Sequence, residues 1–419
     1  MPAVQLPIRI RRSIPLHRAA LALALLFATG AQAEAELDAE AARALHERLL
    51  VLDSHVDTPL RMLEPGFDFT ARHDRQADVS QVDLPRAIEG GADALFMAAF
   101  VSQDERSPEG YAAAHATATQ MLRSVHELAR HHPDRLAIAT RAAEVPAIVA
   151  GGRRALLLAI ENGYALGADP AAVQAFHDLG VRYLTLTHFT NNALGDSSTD
   201  PAGPEHGGLS DTGRAVVRAM NRSGMMVDVS HAADSTFWDV LAVSESPVIA
   251  SHSGAHAVFA HPRNLRDEMI IALAHGGGVV QVNGFSTYLA AFDPDPAQQA
   301  AFGALRGEHA GWMYRGAEAR RAFFTSLRRL VQQHPPPRAP LSALADHIDH
   351  VVQLVGVEHV GVSMDFDGGG GVAGLDEISA LPALTAELLR RGYSERDLAA
   401  LWGGNLLRVM ARSETLAAP

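Results

Sequence analysis

The chain has 419 residues, 47% of them hydrophobic and 20% charged, the balance of a folding chain and not of a disordered one. A formal charge of −13 makes a nucleic-acid backbone a poor partner. Cysteine is absent, and the sequence contains no lysine, so all 35 positive side chains are arginine. These absences exclude disulfides, thiolate nucleophiles, Cys-ligated zinc, Schiff-base chemistry, Walker-type phosphate loops and lysine-bridged metal pairs.

Residues 1–33 carry Arg9, Arg11, Arg12 and Arg18, then an apolar run from Ala19 to about Ala28, then Ala31-Gln32-Ala33. This basic, apolar, small-x-small order predicts a secretory signal peptide cleaved after Ala33, with Arg11-Arg12 also compatible with twin-arginine export. The apolar run is shorter than the ~20 residues that span a bilayer. The expectation is an exported protein, periplasmic or secreted, with no membrane anchor in the mature chain 34–419.

From residue 50 onward, short apolar runs alternate with stretches of helical spacing, the pattern of βα units around a parallel sheet. The predicted strands are 50–56, 92–101, 155–160, 183–187, 225–229, 248–251, 278–282 and 360–364, with helices such as 111–131, 212–221 and 341–355 between them. Eight such strands predict an α/β fold of the (β/α)8 TIM-barrel type, with a doubly wound open sheet as the alternative. Residues 286–340 are too many for one connection and read as a helical insertion after strand seven, roofing one side of the site. The mature chain is read as one barrel domain.

Barrel enzymes carry their chemistry at the C-terminal ends of the strands. Strand one ends Asp53-Ser54-His55-Val56-Asp57, where residues two apart face the same way, so His55 and Asp57 address one point. Glu161 ends strand three, His188 strand four, His231 strand five, His252 strand six, and Asp365 and Asp367 strand eight. Each alone is weak evidence, since a His after a strand is commonly a loop residue and Asp367 reads equally well as a helix cap. Three histidines and two carboxylates on one rim, however, supply ligands suited to zinc or a similar metal. Five ligands exceed one tetrahedral ion with an open position; two ions sharing Glu161 would use them all. His126-Glu127 lacks the second His of a zinc-protease helix, and no G-x-S-x-G is present. His347, His350 and His359 are expected on the outer surface.

The stretches DSHVD, IENG, GVRYLTLTH, GLSDTGRAVVRAMNRSGMMVDVSH, SPVIASHSGAHAV with HPRN, HVGVSMDFDG and WGGNLLRVM, in this order from about Leu50 to Met410, resemble the membrane (renal) dipeptidase family of zinc peptidases. The resemblance implies a barrel with two zinc ions that hydrolyses dipeptides. It implies that His55, Asp57 and bridging Glu161 hold one ion, and Glu161, His231 and His252 the other. His188 would contact the substrate carbonyl, Arg263 its carboxylate, and Asp365 its amino end and the proton in flight; a homodimer is compatible with the family. Val56 stands where the family often has Asn, and Asn162 replaces a common Gly, which puts a side chain near the bridge. A carboxylate-binding tyrosine has no clear match, Tyr288 being ambiguous.

Two divalent ions sharing a water bring its pKa to about 7, so hydroxide is available at neutral pH to attack an L,L- or L,D-dipeptide. Two other readings stand beside this one: a tailoring enzyme, isomerase-like, that keeps the metal site and acts on an exported metabolite, and a non-catalytic periplasmic metal-binding protein. Arg263 and Asp365 favour the peptidase, since neither is needed merely to hold metal.

Overall fold

In the computed structural model, which describes residues 40–417, each predicted apolar run forms a strand of one parallel sheet. The barrel strands are β1 (Leu52–Val56), β2 (Ala94–Phe100), β3 (Arg154–Glu161), β4 (Val181–Thr185), β5 (Met226–Asp228), β6 (Ile249–Ala255), β7 (Val279–Asn283) and β8 (Val360–Ser363). They pair in chain order from β1 to β8. The two ends of the sheet meet at a parallel bridge between Val56 and Phe366, where the Asp57 amide donates to the Phe366 carbonyl at 2.9 Å. Side chains complete this joint: Asp53 Oδ1 accepts from the Met364 amide at 3.2 Å, and Ser54 Oγ donates to the Val362 carbonyl at 3.2 Å. The sheet is therefore a nearly closed (β/α)8 barrel and not the open alternative. Two short strands escaped the sequence reading, Leu136–Ile138 beside β3 and Asn264–Leu265 beside β6. At three and two residues they are too short to show a period. The proposed signal peptide lies outside the described residues, among which no helix is long and apolar enough to cross a membrane.

Strand alternation sorts the side chains. Leu52, Ala94, Phe96, Ala98, Ala155, Leu157, Ala159, Tyr183, Met226, Ile249 and Val279 form one apolar cluster filling the barrel, and Leu406, Val409 and Met410 of the helix Asn405–Leu416 join it. The intervening strand residues pack on the surrounding helices. Continued by steps of two, the inward positions end in Phe100, Glu161, Thr185, Asp228, Ser251 and Asn283. The apolar filling thus gives way to a polar layer at the C-terminal mouth, as the period-two geometry of strands requires. Inside, a Cβ on Gly361 would meet the Gln281 side chain at 2.0 Å, so glycine there makes room for a buried amide.

The outer helices include Pro108–His131, Asp211–Ser223 and Leu341–Val355, close to their predicted bounds. Ser107 and Ser210 accept the Gly110 and Gly213 amides at 3.1 and 3.0 Å, fixing the first turns of two of them. The insertion is helical, with segments Ser286–Leu289, Pro296–Glu308 and Ala317–Gln333. It lies against the segments after β1 and β2: Arg328 pairs with Glu64 at 2.5 Å, and the Tyr314 hydroxyl donates to the Ser102 carbonyl. His350 and His359 are half-buried, bonded to Asp267 and to the Gly278 carbonyl. His347, expected on the surface, is instead fully buried between its helix and β6, and its Nδ1 accepts the Ala255 amide at 2.9 Å. It shares the inner face of that helix with Leu344, Ile348 and Val351.

Burial pushes the His347 imidazole down to about 4. The folded state refuses a proton that the unfolded chain accepts below about 6.5, so His347 costs stability as pH falls from 6.5 toward 4 and none above that window. Denaturant titrations at pH 7 and pH 5 are expected to show the wild type losing about 2 kcal/mol more than His347→Gln over this interval. Equal losses in the two proteins would contradict the assignment.

Candidate active site and metal centre

The polar layer brings the predicted site residues together. Glu161, last residue of β3, lies 3.1 Å from His231 Nε2, 3.3 Å from His252 Nε2 and 3.6 Å from His188 Nε2 through its Oε1, and 3.5 Å from His55 Nε2 through its Oε2. His55 Nε2 is 3.6 Å from Asp57 Oδ2. Asp365 approaches the same side, its Oδ2 accepting from Asn283 Nδ2 at 3.0 Å. Three overlapping groups each have donor atoms within 4.8 Å of one another: His55, Glu161 and His252; Glu161, His188 and His231; His55, Asp57 and Asp365. This cluster is continuous and crosses the expected division into two ligand sets, with Glu161 at its centre. Val56 points away into the outer core, as its position between two inward residues requires.

Three of these positions are held in unusual backbone. Asn162, His231 and Asp365 have φ of 80°, 69° and 56°, a region non-glycine residues enter at a cost of about 1–3 kcal/mol each. Asn162 does not intrude on the Glu161 carboxylate as the sequence suggested. Its amide donates to the Val101 carbonyl at 3.0 Å, and its Oδ1 accepts from the Tyr164 amide and Asn192 Nδ2, each at 3.1 Å. It ties the chain after β3 to the segments after β2 and β4. Asp367 caps no helix; its carboxylate accepts from Thr58 Oγ1 and the Gln81 amide, each at 2.7 Å.

The donor set fits a metal on three observations. His55 Nε2, Asp57 Oδ1 and His231 Nδ1 are buried and have no hydrogen-bond partner, a state that buried polar atoms rarely tolerate. The His231 and His252 Nε2 atoms face each other at 3.0 Å. The far sides of two rings are also occupied. The Tyr183 hydroxyl donates to the Ser54 carbonyl at 2.9 Å and so accepts from His55 Nδ1 at 2.7 Å. Ser251 Oγ donates to the buried Asp228 at 2.6 Å and so accepts from His252 Nδ1 at 2.8 Å. Both rings therefore turn their Nε2 toward Glu161, the outer-shell arrangement of metal-binding imidazoles. Tyr183, Asp228 and Ser251 were not singled out from the sequence; the two-residue step inward from the strand ends is the signal that finds them. A Cβ at Gly368 would fall 2.1 Å from Asp57 Oδ2 and 2.4 Å from Asp365 Oδ1, so a side chain there would fill the cradle.

Electrostatics follow from the same geometry. Burial would raise the Glu161 carboxyl, but the imidazoles gathered on it, with His188 and His55 the largest influences, hold it well below its usual range. Burial also opposes charging of His55, yet Tyr183, Asp57 and Glu161 hold it well above its ordinary value. Burial pushes His188 down to about 4 and lowers His231 and His252, leaving those three neutral and able to offer lone pairs at neutral pH. Arg263 is buried beside the cluster; its Nη2 donates to the His252 carbonyl at 3.0 Å, its Nε has no partner, and its guanidinium lies 5.4 Å from the Tyr288 ring centroid. The ambiguous tyrosine thus stands next to the arginine, and burial raises its hydroxyl to about 12, which keeps it a hydrogen-bond donor.

A nearly closed barrel with imidazoles and carboxylates gathered at its C-terminal mouth is an arrangement of the kind metal-dependent hydrolases use. The chain belongs to the membrane dipeptidase family (peptidase family M19), whose profile matches residues 39–419. It is 35% identical over 344 residues to dipeptidase verJ of Clonostachys rogersoniana, covering 80% of this chain and 76% of that one. Dipeptidase aclJ of Aspergillus oryzae is 34% identical, over 80% of this chain and 71% of its own. Among solved structures, the probable dipeptidase PvdM from Pseudomonas aeruginosa superposes with a TM-score of 0.78 at 29% identity, over 91% of this chain and all of that one. A metallopeptidase from Rhodobacter sphaeroides, solved with a phosphinate mimic of the dipeptide L-Ala-D-Ala, gives 0.69 at 26% identity, over 87% of this chain and 99% of its own.

Two substitutions test the geometry. Ser251→Ala removes the partner of His252 Nδ1 and is expected to weaken metal binding about 10- to 100-fold in chelator competition, with an unchanged far-ultraviolet circular dichroism spectrum. Gly368→Ala is expected to abolish dipeptide hydrolysis by pressing on both carboxylates; wild-type turnover in that variant would show that the cradle is looser than described.

Proposed function

We propose that the protein is an exported, zinc-dependent dipeptidase whose mature chain, 34–419, holds two metal ions through His55, Asp57, Glu161, His231 and His252, with Glu161 shared between them. The observation that carries this reading is the buried Glu161 carboxylate with four imidazole nitrogens within 3.6 Å. When bound, the ions supply a Lewis acid and a water acidified to near neutrality.

The chain's own residues do the rest. Neutral His188 donates a hydrogen bond to the scissile carbonyl oxygen as it gains charge. Arg263, with its unpaired Nε, and Tyr288 grip the free carboxylate of the second residue. Asp365, steadied by Asn283, binds the amino end, accepts the proton of the attacking water and passes it to the leaving amine. Cation and anion sites at opposite ends of so short a span select dipeptides over longer or N-acylated peptides. The Rhodobacter sphaeroides structure, with its dipeptide mimic, supports this substrate class, and L,L- and L,D-dipeptides are both candidates.

Metal analysis of the purified protein is expected to give two ions per chain, and Glu161→Gln to lose both. Asp365→Asn is expected to keep the metal and to lower kcat at least about a thousandfold, within the range for removal of a general acid–base. Hydrolysis is expected for dipeptides and not for tripeptides or N-acylated controls. A single ion at full occupancy would defeat the shared bridge, and inactivity on every dipeptide would defeat the peptidase.

A further inference from the structure

The polar layer at the barrel mouth has one apolar member. Phe100, the inward residue that ends β2, pairs in register with Glu161 and is only partly buried, and its ring lies 4.6 Å from the His188 ring. Against the same imidazole stands Phe189, 4.0 Å from His188 and 5.5 Å from His231. Phe189 is 50% exposed, the most exposed of the large hydrophobic residues among those described. A scattered surface aromatic needs no explanation; this one stands at the rim of a site, in contact with two of its histidines.

Its position is built. The Phe189 carbonyl accepts from Thr199 Oγ1 at 3.2 Å, and the His188 carbonyl from Ser197 Oγ. Gln103 Nε2 donates to the Asn191 carbonyl at 2.7 Å, and Arg106 pairs with Glu205 at 2.9 Å. These contacts lock the segment after β2 to the segment after β4, so the two phenylalanines keep a fixed spacing.

We infer that Phe100 and Phe189 form an apolar subsite for a bulky apolar side chain on the first residue of the dipeptide. This rests on the substrate orientation given above. The order of strands around the mouth points to the first residue: the amino end lies at Asp365 after β8, the carbonyl at His188 after β4, and β2 falls on the one of the two arcs between them that does not carry Arg263. Arg263, which takes the second residue's carboxylate, follows β6 outside that arc. An apolar pocket of this kind discriminates by roughly 10- to 200-fold between side chains that fill it and those that do not.

The test uses the metal-loaded enzyme with two dipeptide series, X-Ala and Ala-X, with X being Gly, Ala, Leu or Phe. The kcat/KM of the wild type is expected to rise at least tenfold from Gly-Ala to Leu-Ala or Phe-Ala, chiefly through KM. Phe189→Ala is expected to reduce that ratio to below about threefold, Phe189→Leu to retain most of it, and the Ala-X ratio to move little in either. Persistence of the X-Ala ratio in Phe189→Ala, its collapse in the Ala-X series instead, or a flat wild-type profile would overturn the subsite while leaving the peptidase standing. A wild type inactive on both series would overturn the proposed function itself, and the subsite with it.

Discussion

A carboxylate closed off from water must have positive charge beside it or give up its own. Glu161 is at the end of β3, buried and ringed by imidazoles, and the rest of the mouth is arranged around that requirement. Without a metal, a proton on His55 can provide the countercharge, which is why this ring holds its proton so firmly while its neighbours shed theirs. A divalent cation would displace that proton and use the lone pairs that Tyr183 and Ser251 have already aimed. A metal bound there would compete with protons for the same cluster, so its loading would be linked to pH through these residues.

The barrel makes such a concentration of polar groups tolerable. The inward columns start with apolar or aromatic residues, among them Leu52, Ala94, Ala155, Met226, Ile249 and Val279, and most end in a polar residue at the mouth, so the apolar filling lies beneath the site. The buried Asp228 illustrates the economy of the layer: it accepts from Thr185 Oγ1, Ser251 Oγ and the Ser230 and Ser251 amides at 2.5–3.0 Å. Four donors stabilise its charge, and one of them passes its orientation on to His252.

Much of this was legible in the chain. Strand runs bounded by turn residues announced the barrel, and the His-x-Asp step at 55–57, with single ligating residues at later strand ends, announced the site. What was not legible depended on contacts across strands. His347 looked like a surface residue because its partner, the Ala255 amide, lies on another element. Asp367 looked like a cap because Gln81 and Thr58 are remote in sequence. Tyr288 became meaningful only when the fold brought it against Arg263. Asn162 stands in place of the glycine of the resembled motif with its side-chain amide bonded to three partners that sequence alone does not reveal.

The joint between β1 and β8 is an irregular seam of the barrel, held by one backbone bridge and the side chains of Asp53 and Ser54. His55 and Asp57 lie on one side of it and Asp365 on the other, within a single ligand-sized group. An ion seated among them would act as a rivet, stapling the first and last staves of the cask. Amide hydrogen exchange around Val56 and Phe366 would then report on occupancy of the site, because binding there would fasten the seam that closes the wall.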